Sequence, residues 1–323
     1  MWKFQVAAVS MIVLAGCTPS GETPPPIPAV PEAAEVTATP VKLMTWEDLT
    51  SRPPREASTR IRWGEGATDI ADLWLPEGAG PFPVVVLVHG GCWQKSIADL
   101  TLMNWMADGL RNKGWAVWNI EYRGVDEPGG GYPGTFLDVG AAIDALGLHA
   151  DQFKLDLSRV TGLGHSAGGH LILWAAARSR LPDDSPVRVT DPLAFRGVVV
   201  SGGLADLEAS RPVTAPGCLD AVYDTLTGPA TAERPDPLAD TSPARLFPIG
   251  VPFVSVNGAD DRIAPPMLGE GLTVRALAKG DQASLIVVPD TGHVELVTPG
   301  TEAFEAQAQA LAGFVGGRPN EQD

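Results

Sequence analysis

The chain has 323 residues, of which 39 are acidic and 23 are basic, and its formal net charge at pH 7 is −16. The lysines and arginines form no cluster, which argues against nucleic acid and other polyanions as partners. From residue 41 onward the length suits one α/β domain with an ample core, and no repeat of solenoid period is visible.

The first residues have the pattern of a bacterial export signal. Lys3 supplies a positive charge, and an apolar run from Val6 to Gly16 ends at Cys17. The run is too short to span a bilayer, and its Leu-Ala-Gly-Cys ending resembles the lipobox of bacterial lipoproteins, in which the cysteine is lipidated. We therefore expect a signal peptide over 1–16 and an extracytoplasmic protein anchored by lipid, on the outer membrane where there are two membranes. The alternative is an ordinary secretory signal that is cut near the same point.

The next segment, residues 17–40, is rich in proline and has no apolar periodicity. Such a composition cannot build a core, so we expect an extended tether. A catalytic domain is expected over 41–316, followed by a short tail over 317–323.

Strand patterns then alternate with helical patterns. Residues 68–75 alternate apolar and polar side chains, whereas 83–88 form a continuous apolar run that is typical of a buried strand. Further strands are predicted over 115–120, 160–163, 195–201, 252–256 and 284–288, and helices over 98–113, 135–148, 166–178, 267–279 and 301–315. This alternation predicts an α/β fold with a mostly parallel central sheet and helices on both faces.

The strand at 160–163 leads into Gly164-His165-Ser166-Ala167-Gly168 and then into an alanine-rich helical pattern. Glycines two residues before and after the serine allow a tight turn and a close approach of strand and helix. The stretch resembles the nucleophile elbow of the α/β-hydrolase family, which implies Ser166 as the nucleophile. The alternative is a glycine-rich turn whose serine only caps the helix.

A serine nucleophile needs a base within hydrogen-bond reach, and in this family the base follows the serine and the acid along the chain. Two of the five histidines precede Ser166, and two others lie beside it on the elbow. His293, just after the last predicted strand, therefore remains as the general base, with a capping or surface histidine as the alternative.

The loop after the strand at 252–256 resembles the G-x-x-D-x-x-x-P acid loop of the family. The resemblance implies Asp261 as the carboxylate that orients His293. Its neighbour Asp260 is the first alternative, and Asp290 is the second.

The stretch His89-Gly90-Gly91-Cys92-Trp93, called here the oxyanion loop, follows the first buried strand. It resembles the H-G-G-x-W motif of kynurenine formamidases and BD-FAE-like small esterases. This resemblance implies that the backbone amides of Gly91, Cys92 and Ala167 bind the oxyanion. His89 is expected to have a structural hydrogen-bonding role.

Trp93 and Tyr132 are candidates for the walls of the substrate pocket, although ordinary core packing is the alternative for Trp93. Residues 208–240 form an insertion relative to those enzymes, and we expect it to lie over the site as a lid. The insertion contains Cys218. A disulfide between Cys92 and Cys218 is a hypothesis that would join the insertion to the oxyanion loop.

The resemblance implies a serine hydrolase that cleaves carboxylic esters of small acyl groups through an acyl-enzyme, without a metal or an organic cofactor. Three alternatives stay open: an arylformamidase, an esterase that removes acetyl or feruloyl groups from polysaccharide, and a non-catalytic lipoprotein that uses the fold for binding. The acyl length and the oligomeric state are left open.

Overall fold

The computed structural model describes residues 41–214 and 218–316. The expected signal peptide, the lipidation site Cys17, the tether and the tail lie outside these residues. The strands are β1 (Thr59–Arg62), β2 (Ile70–Trp74), β3 (Phe82–Val88), β4 (Ala116–Ile120), β5 (Leu155–His165), β6 (Val198–Ser201), β7 (Phe253–Gly258) and β8 (Ala283–Val288). The helices are α1 (Trp46–Thr50), α2 (Asn104–Asn112), α3 (Gly134–Asp144), α4 (Leu146–Phe153), α5 (Ala167–Ala176), α6 (Leu207–Ser210), α7 (Leu219–Thr227), α8 (Pro266–Ala278) and α9 (Glu302–Phe314).

The strands of the described residues form one eight-stranded sheet in the order β1-β2-β4-β3-β5-β6-β7-β8. From β4 to β8 along this order every neighbouring pair is parallel, whereas β2 pairs antiparallel with both β1 and β4. The predicted α/β class and mostly parallel sheet are confirmed. Within the described part of the chain, no helix combines the length and the apolar character needed to cross a bilayer.

The buried strand β3 shows why an apolar run appears in the sequence. Val84, Val86 and Val88 belong to the core on one face of the sheet, whereas Val85 and Leu87 belong to the core on the other face. Helices α3, α5 and α8 cover the first face, and α2 and α9 cover the second. Because both faces are covered, successive side chains of β3 are all apolar.

Three features differ from the predictions. The central strand β5 begins at Leu155 rather than at 160. The prediction missed its first half because that part is partly exposed and carries polar residues, which do not give an apolar strand pattern. The helix predicted over 135–148 is two helices, which meet at Ala145 without a glycine or proline to mark the junction. The elements α1, β1, α6 and α7 were not predicted.

Candidate active site

Ser166 lies at the turn between β5 and α5, with φ 55° and ψ −120°, in a region that residues other than glycine rarely adopt. The flanking glycines make this turn possible. A Cβ on Gly168 would lie 2.1 Å from the backbone O of Val88, and one on Gly164 would lie 2.0 Å from the backbone O of Gly168. The Ser166 side chain makes no capping hydrogen bond to the helix, so the structure does not support the alternative of a simple cap.

His293 follows β8, and its Nδ1 donates to Asp261 Oδ2 at 2.6 Å. The other carboxylate oxygen of Asp261 accepts two backbone N–H groups of its own loop, at 2.8 and 2.9 Å. Both side chains are buried, whereas Asp260 and Asp290 are exposed. Of the three candidate acids, the geometry pairs Asp261 with the histidine.

The elbow and the loop that carries His293 are in direct contact. His165, directly before Ser166, donates from Nε2 to the backbone O of His293 at 3.1 Å, and the two imidazole centroids are 4.3 Å apart. The Ser166 N–H donates to Ser201 O at 2.9 Å, and a Cβ on Gly202 would lie 3.3 Å from His293 Cε1. The three predicted catalytic residues therefore meet at the carboxyl edge of the sheet.

The oxyanion loop lies against the nucleophile. A Cβ on Gly90 would be 3.0 Å from Ser166 Cβ, and Gly91 and Cys92 both have positive φ, at 107° and 51°. Within the described residues, the amides of Gly91 and Cys92 donate to no acceptor. Ala167 is the first residue of α5, so its N–H also has no partner within the helix. The three amides of the predicted oxyanion hole are thus free to bind a ligand oxygen.

A buried charged network supports this loop from beneath. The ring nitrogens of His89 lie 2.7 Å from Gly90 O and 2.8 Å from Glu121 Oε1, and Tyr122 stacks on the ring. Burial acts to raise the pKa of Glu121, but hydrogen bonds and charges from His89 and Lys95 outweigh it and hold this pKa at about 2. These contacts agree with the structural role expected for His89.

Trp93 is fully buried, and its Nε1 donates to His170 Nδ1 at 3.1 Å. On the other side of that ring, His170 Nε2 lies 2.7 Å from the backbone O of Thr241. No part of the indole is open to a substrate, because α5 and the chain around residue 241 enclose this pair. The prediction of Trp93 as a pocket wall is therefore wrong, and core packing describes it.

Protonation of His170 is expected to make the protein less stable in acid. Burial lowers the pKa of His170 to about 4 from a usual value of 6.5, and burial also lowers the pKa of His165. The unfolded chain therefore binds more protons than the folded one between about pH 6.5 and 4, and the free energy of unfolding falls as pH drops through this window. We expect His170 alone to account for about 2–3 kcal/mol between pH 7 and 4.5, measured by urea unfolding.

The non-titrating variant His170→Gln should lose part of this pH dependence. The control variant His149→Gln, at a half-buried histidine, should keep it. An equal pH dependence in wild type and His170→Gln would contradict the assignment.

Cys92 and Cys218 form a disulfide, with their Cα atoms 5.0 Å apart and a sequence separation of 126. The bond joins the oxyanion loop to the start of α7 in the insertion. A second contact is made by the half-buried Tyr132, whose N–H donates to Thr225 O at 3.0 Å and whose hydroxyl donates to Asp240 at 2.6 Å. Burial and the Asp240 carboxylate raise the pKa of Tyr132 to about 12. The insertion therefore borders the site on the side of the oxyanion loop.

Reduction of this disulfide is expected to lower the free energy of unfolding by about 2–4 kcal/mol, because the long chain segment that it closes gains entropy when unfolded. In thermal denaturation this corresponds to a decrease in Tm of roughly 5–10 °C. The double variant Cys92→Ala/Cys218→Ala should show the same decrease and no further response to a reducing agent. Two free thiols in a non-reducing titration of the denatured wild-type protein would contradict the bond.

Gly202, which directly follows β6, was not among the predicted site residues, and the structure places it beside the Asp261–His293 pair. Its φ is 49°, and an added Cβ would lie 2.7 Å from Leu296 Cδ1 and 3.2 Å from Asp261 Oδ2. A side chain here would push on the Asp261–His293 pair. The Ser-Gly-Gly that follows a strand pattern was the available signal.

Comparisons with known proteins bear on this geometry. The chain is similar to the probable carboxylic ester hydrolase LipM of Mycobacterium tuberculosis, with 26% identity over 224 residues that cover 65% of this chain and 49% of that protein. The chain thus spans about half the length of this curated relative.

Solved structures give the fold. Esterase B from Lactobacillus rhamnosis superposes with a TM-score of 0.67 at 20% identity and covers 82% of this chain and 88% of its own. A truncated carbohydrate esterase from gut microbiota superposes with a TM-score of 0.66 at 18% identity, and the match covers 81% of this chain and 99% of that one. The expected α/β-hydrolase fold is therefore confirmed. The family model described as BD-FAE matches residues 71–274, more than half of the chain, and the protein accordingly belongs to the BD-FAE family.

Proposed function

We propose that this protein is a serine hydrolase that cleaves carboxylic esters of small acyl groups. The observation that carries the proposal is the hydrogen-bonded pair of His293 and Asp261 in contact with the Ser166 elbow, whose serine has positive φ and does not cap its helix. In this assignment Ser166 is the nucleophile, His293 is the general base and acid, and Asp261 orients the imidazole.

The hydrogen bond to Asp261 commits the Nδ1 proton of His293, which leaves Nε2 as the nitrogen that can accept a proton. The Ser166 hydroxyl makes no hydrogen bond to another described residue, so it is free to approach both the substrate and the imidazole. In serine hydrolases without substrate, the hydrogen bond between serine and histidine is often long and shortens only when substrate binds. Ser166 Oγ forms a bond to the acyl carbon while its proton moves to His293 Nε2.

The free amides of Gly91, Cys92 and Ala167 stabilise the negative oxygen of the tetrahedral intermediate. The bond from the acyl carbon to the alcohol oxygen then breaks, and the alcohol leaves with the proton from His293. Water attacks the acyl-enzyme by the reverse sequence of proton transfers and releases the acid and Ser166.

Ester substrates are supported by the name of the curated relative and by the esterases of similar fold. A second candidate is the removal of acyl groups from polysaccharide, which the similarity in fold to a carbohydrate esterase favours. The arylformamidase alternative rests on the oxyanion-loop motif alone. The complete set of Ser166, His293 and Asp261 argues against a non-catalytic binding protein, which has no need of all three.

A fluorophosphonate probe tests the proposal directly. We expect one probe per protein molecule in the intact mass, located on Ser166 by peptide mapping, and no modification after heat denaturation. No modification of the native protein, or modification at another residue, would refute the assignment. The rate with 4-nitrophenyl acetate, compared with the rate on N-formylkynurenine and acetate release from acetylated xylan, then distinguishes the three candidate activities.

We also propose that the protein acts outside the cytoplasm, held to the membrane by lipid on Cys17. The lipobox-like sequence and the proline-rich segment that follows it support this location. Full-length protein expressed in bacteria with an alkyne fatty acid should carry the label and sediment with membranes, whereas Cys17→Ala should be unlabelled. An unlabelled wild-type protein would contradict lipidation.

A further inference from the structure

A tryptophan from the N-terminal segment lies against the proposed catalytic histidine. The ring centroid of Trp46, in α1, is 6.1 Å from that of His293 and 6.1 Å from that of His165, at interplanar angles of 82° and 70°. Trp46 is 37% exposed, so part of the indole is available to a ligand. It precedes residue 71, where the match to the family begins, and it belongs to a segment that this match does not include.

Buried contacts hold this segment in place. The carboxylate of Glu295 accepts the backbone N–H of Met44 on one oxygen and that of Gly292 on the other, the latter at 3.0 Å. One buried side chain therefore joins the backbone just before Trp46 to the loop that carries His293. This shared carboxylate fixes the backbone two residues before Trp46 relative to the His293 loop, which places the indole near the imidazole.

An open cleft of about 620 Å³ lies between the N-terminal segment and residues 95–105. Leu49, one helical turn after Trp46, lines one side of it. Ala98 lines the other side, and its Cβ would be 2.8 Å from a Cβ added to Gly91. The lining of the cleft thus includes a residue one turn after Trp46 and a residue that packs against the oxyanion loop, and its volume exceeds that of a short alkyl group.

The chemistry of ester cleavage places the alcohol at this point. His293 must deliver a proton to the alcohol oxygen as it leaves, so the alcohol lies beside the imidazole that Trp46 contacts. An exposed indole favours contact with a flat or cyclic group over contact with a short alkyl chain. We infer that Trp46 is a specificity-determining residue, which binds the alcohol portion of the ester and selects alcohols that carry a ring. This inference rests on the proposed ester hydrolase function.

The test is Trp46→Ala with acetyl esters of four alcohols: phenol, cyclohexanol, methanol and ethanol. For each ester, we compare kcat/KM of the variant with kcat/KM of the wild-type protein as a ratio. The intrinsic reactivity of the ester is the same for both proteins and cancels in this ratio. We expect this ratio to fall about 3–10-fold for the two ring alcohols, mainly through KM, and to stay within about 2-fold for methanol and ethanol. Trp46→Phe should keep most of the wild-type preference. Glu47→Ala, the exposed neighbour on the same helix, is the matched control and should change neither class.

Two further measurements separate binding from a structural role. The ratio for the phenyl ester should be the same for acetyl, butyryl and hexanoyl chains, because Trp46 is assigned to the alcohol side. The rate of Ser166 labelling by a fluorophosphonate, whose leaving group is fluoride, should be unchanged in Trp46→Ala. An equal loss on all four alcohols, or slower labelling, would overturn the inference in favour of a role in holding His293. Failure of the wild-type protein to be labelled would instead refute the proposed function.

Discussion

Replacement of Ser166 by alanine is expected to lower kcat for 4-nitrophenyl acetate by roughly 10⁵-fold or more, because the variant lacks the hydroxyl proposed to form the acyl-enzyme. The residual rate would come from the oxyanion amides and from substrate binding. Alanine at a φ of 55° carries the same backbone strain as serine, and the lost hydroxyl makes no hydrogen bond to a described residue. We therefore expect an unchanged Tm, so that the kinetic loss reports chemistry and not folding.

The control for this variant lies on the same strand. The hydroxyl of Ser158, near the exposed end of β5, donates to the Asp156 carboxylate two positions earlier, and Ser158→Ala should retain wild-type kcat. If Ser166→Ala kept a tenth or more of the wild-type rate at an unchanged Tm, another nucleophile would have to be sought, or the protein would be a binding protein.

The second large effect is expected for Asp261→Asn, with a decrease in kcat of about 10⁴-fold. The oxygen that accepts two backbone N–H groups must stay an oxygen, so the new amide NH₂ would point at His293 Nδ1. The imidazole would then accept at Nδ1 and carry its proton on Nε2. In that tautomer it cannot take the proton of Ser166.

The neighbouring Asp260 provides a matched control, since it is exposed and one position away. Asp260→Asn should leave kcat within about 2-fold of wild type, and steady-state kinetics of the two variants on one ester make the comparison. A larger loss in Asp260→Asn than in Asp261→Asn would reverse the assignment of the acid.

The proposed catalytic residues were accessible from sequence because each follows a strand pattern. Parallel strands end at the same edge of a sheet, so Ser166 after β5, Asp261 after β7 and His293 after β8 could be expected to meet. The small number of histidines made elimination possible. The choice of Asp261 over Asp260 depended on family spacing, since both follow β7 and only the folded loop shows which carboxylate is buried.

The features that escaped prediction depend on contacts between distant parts of the chain. Trp46 reaches the site through the bond between Met44 and Glu295, which are 251 positions apart, and no local pattern marks it. The burial of Trp93 depends on its bond to His170, 77 positions away. β1 has only four residues, of alternating exposure, and its pairing with β2 decides its conformation.

The strained backbone of Ser166 also indicates which property has been under selection at this position. A non-glycine residue with positive φ at a tight turn costs folding free energy, of order 1–3 kcal/mol, that glycine would largely recover. Ser166→Gly should thus have a higher Tm than the wild-type protein, while its kcat falls to the residual rate expected for Ser166→Ala. A protein selected only for stability or for binding would gain from a glycine at this position. A serine with a strained backbone here is therefore better explained by selection for catalysis.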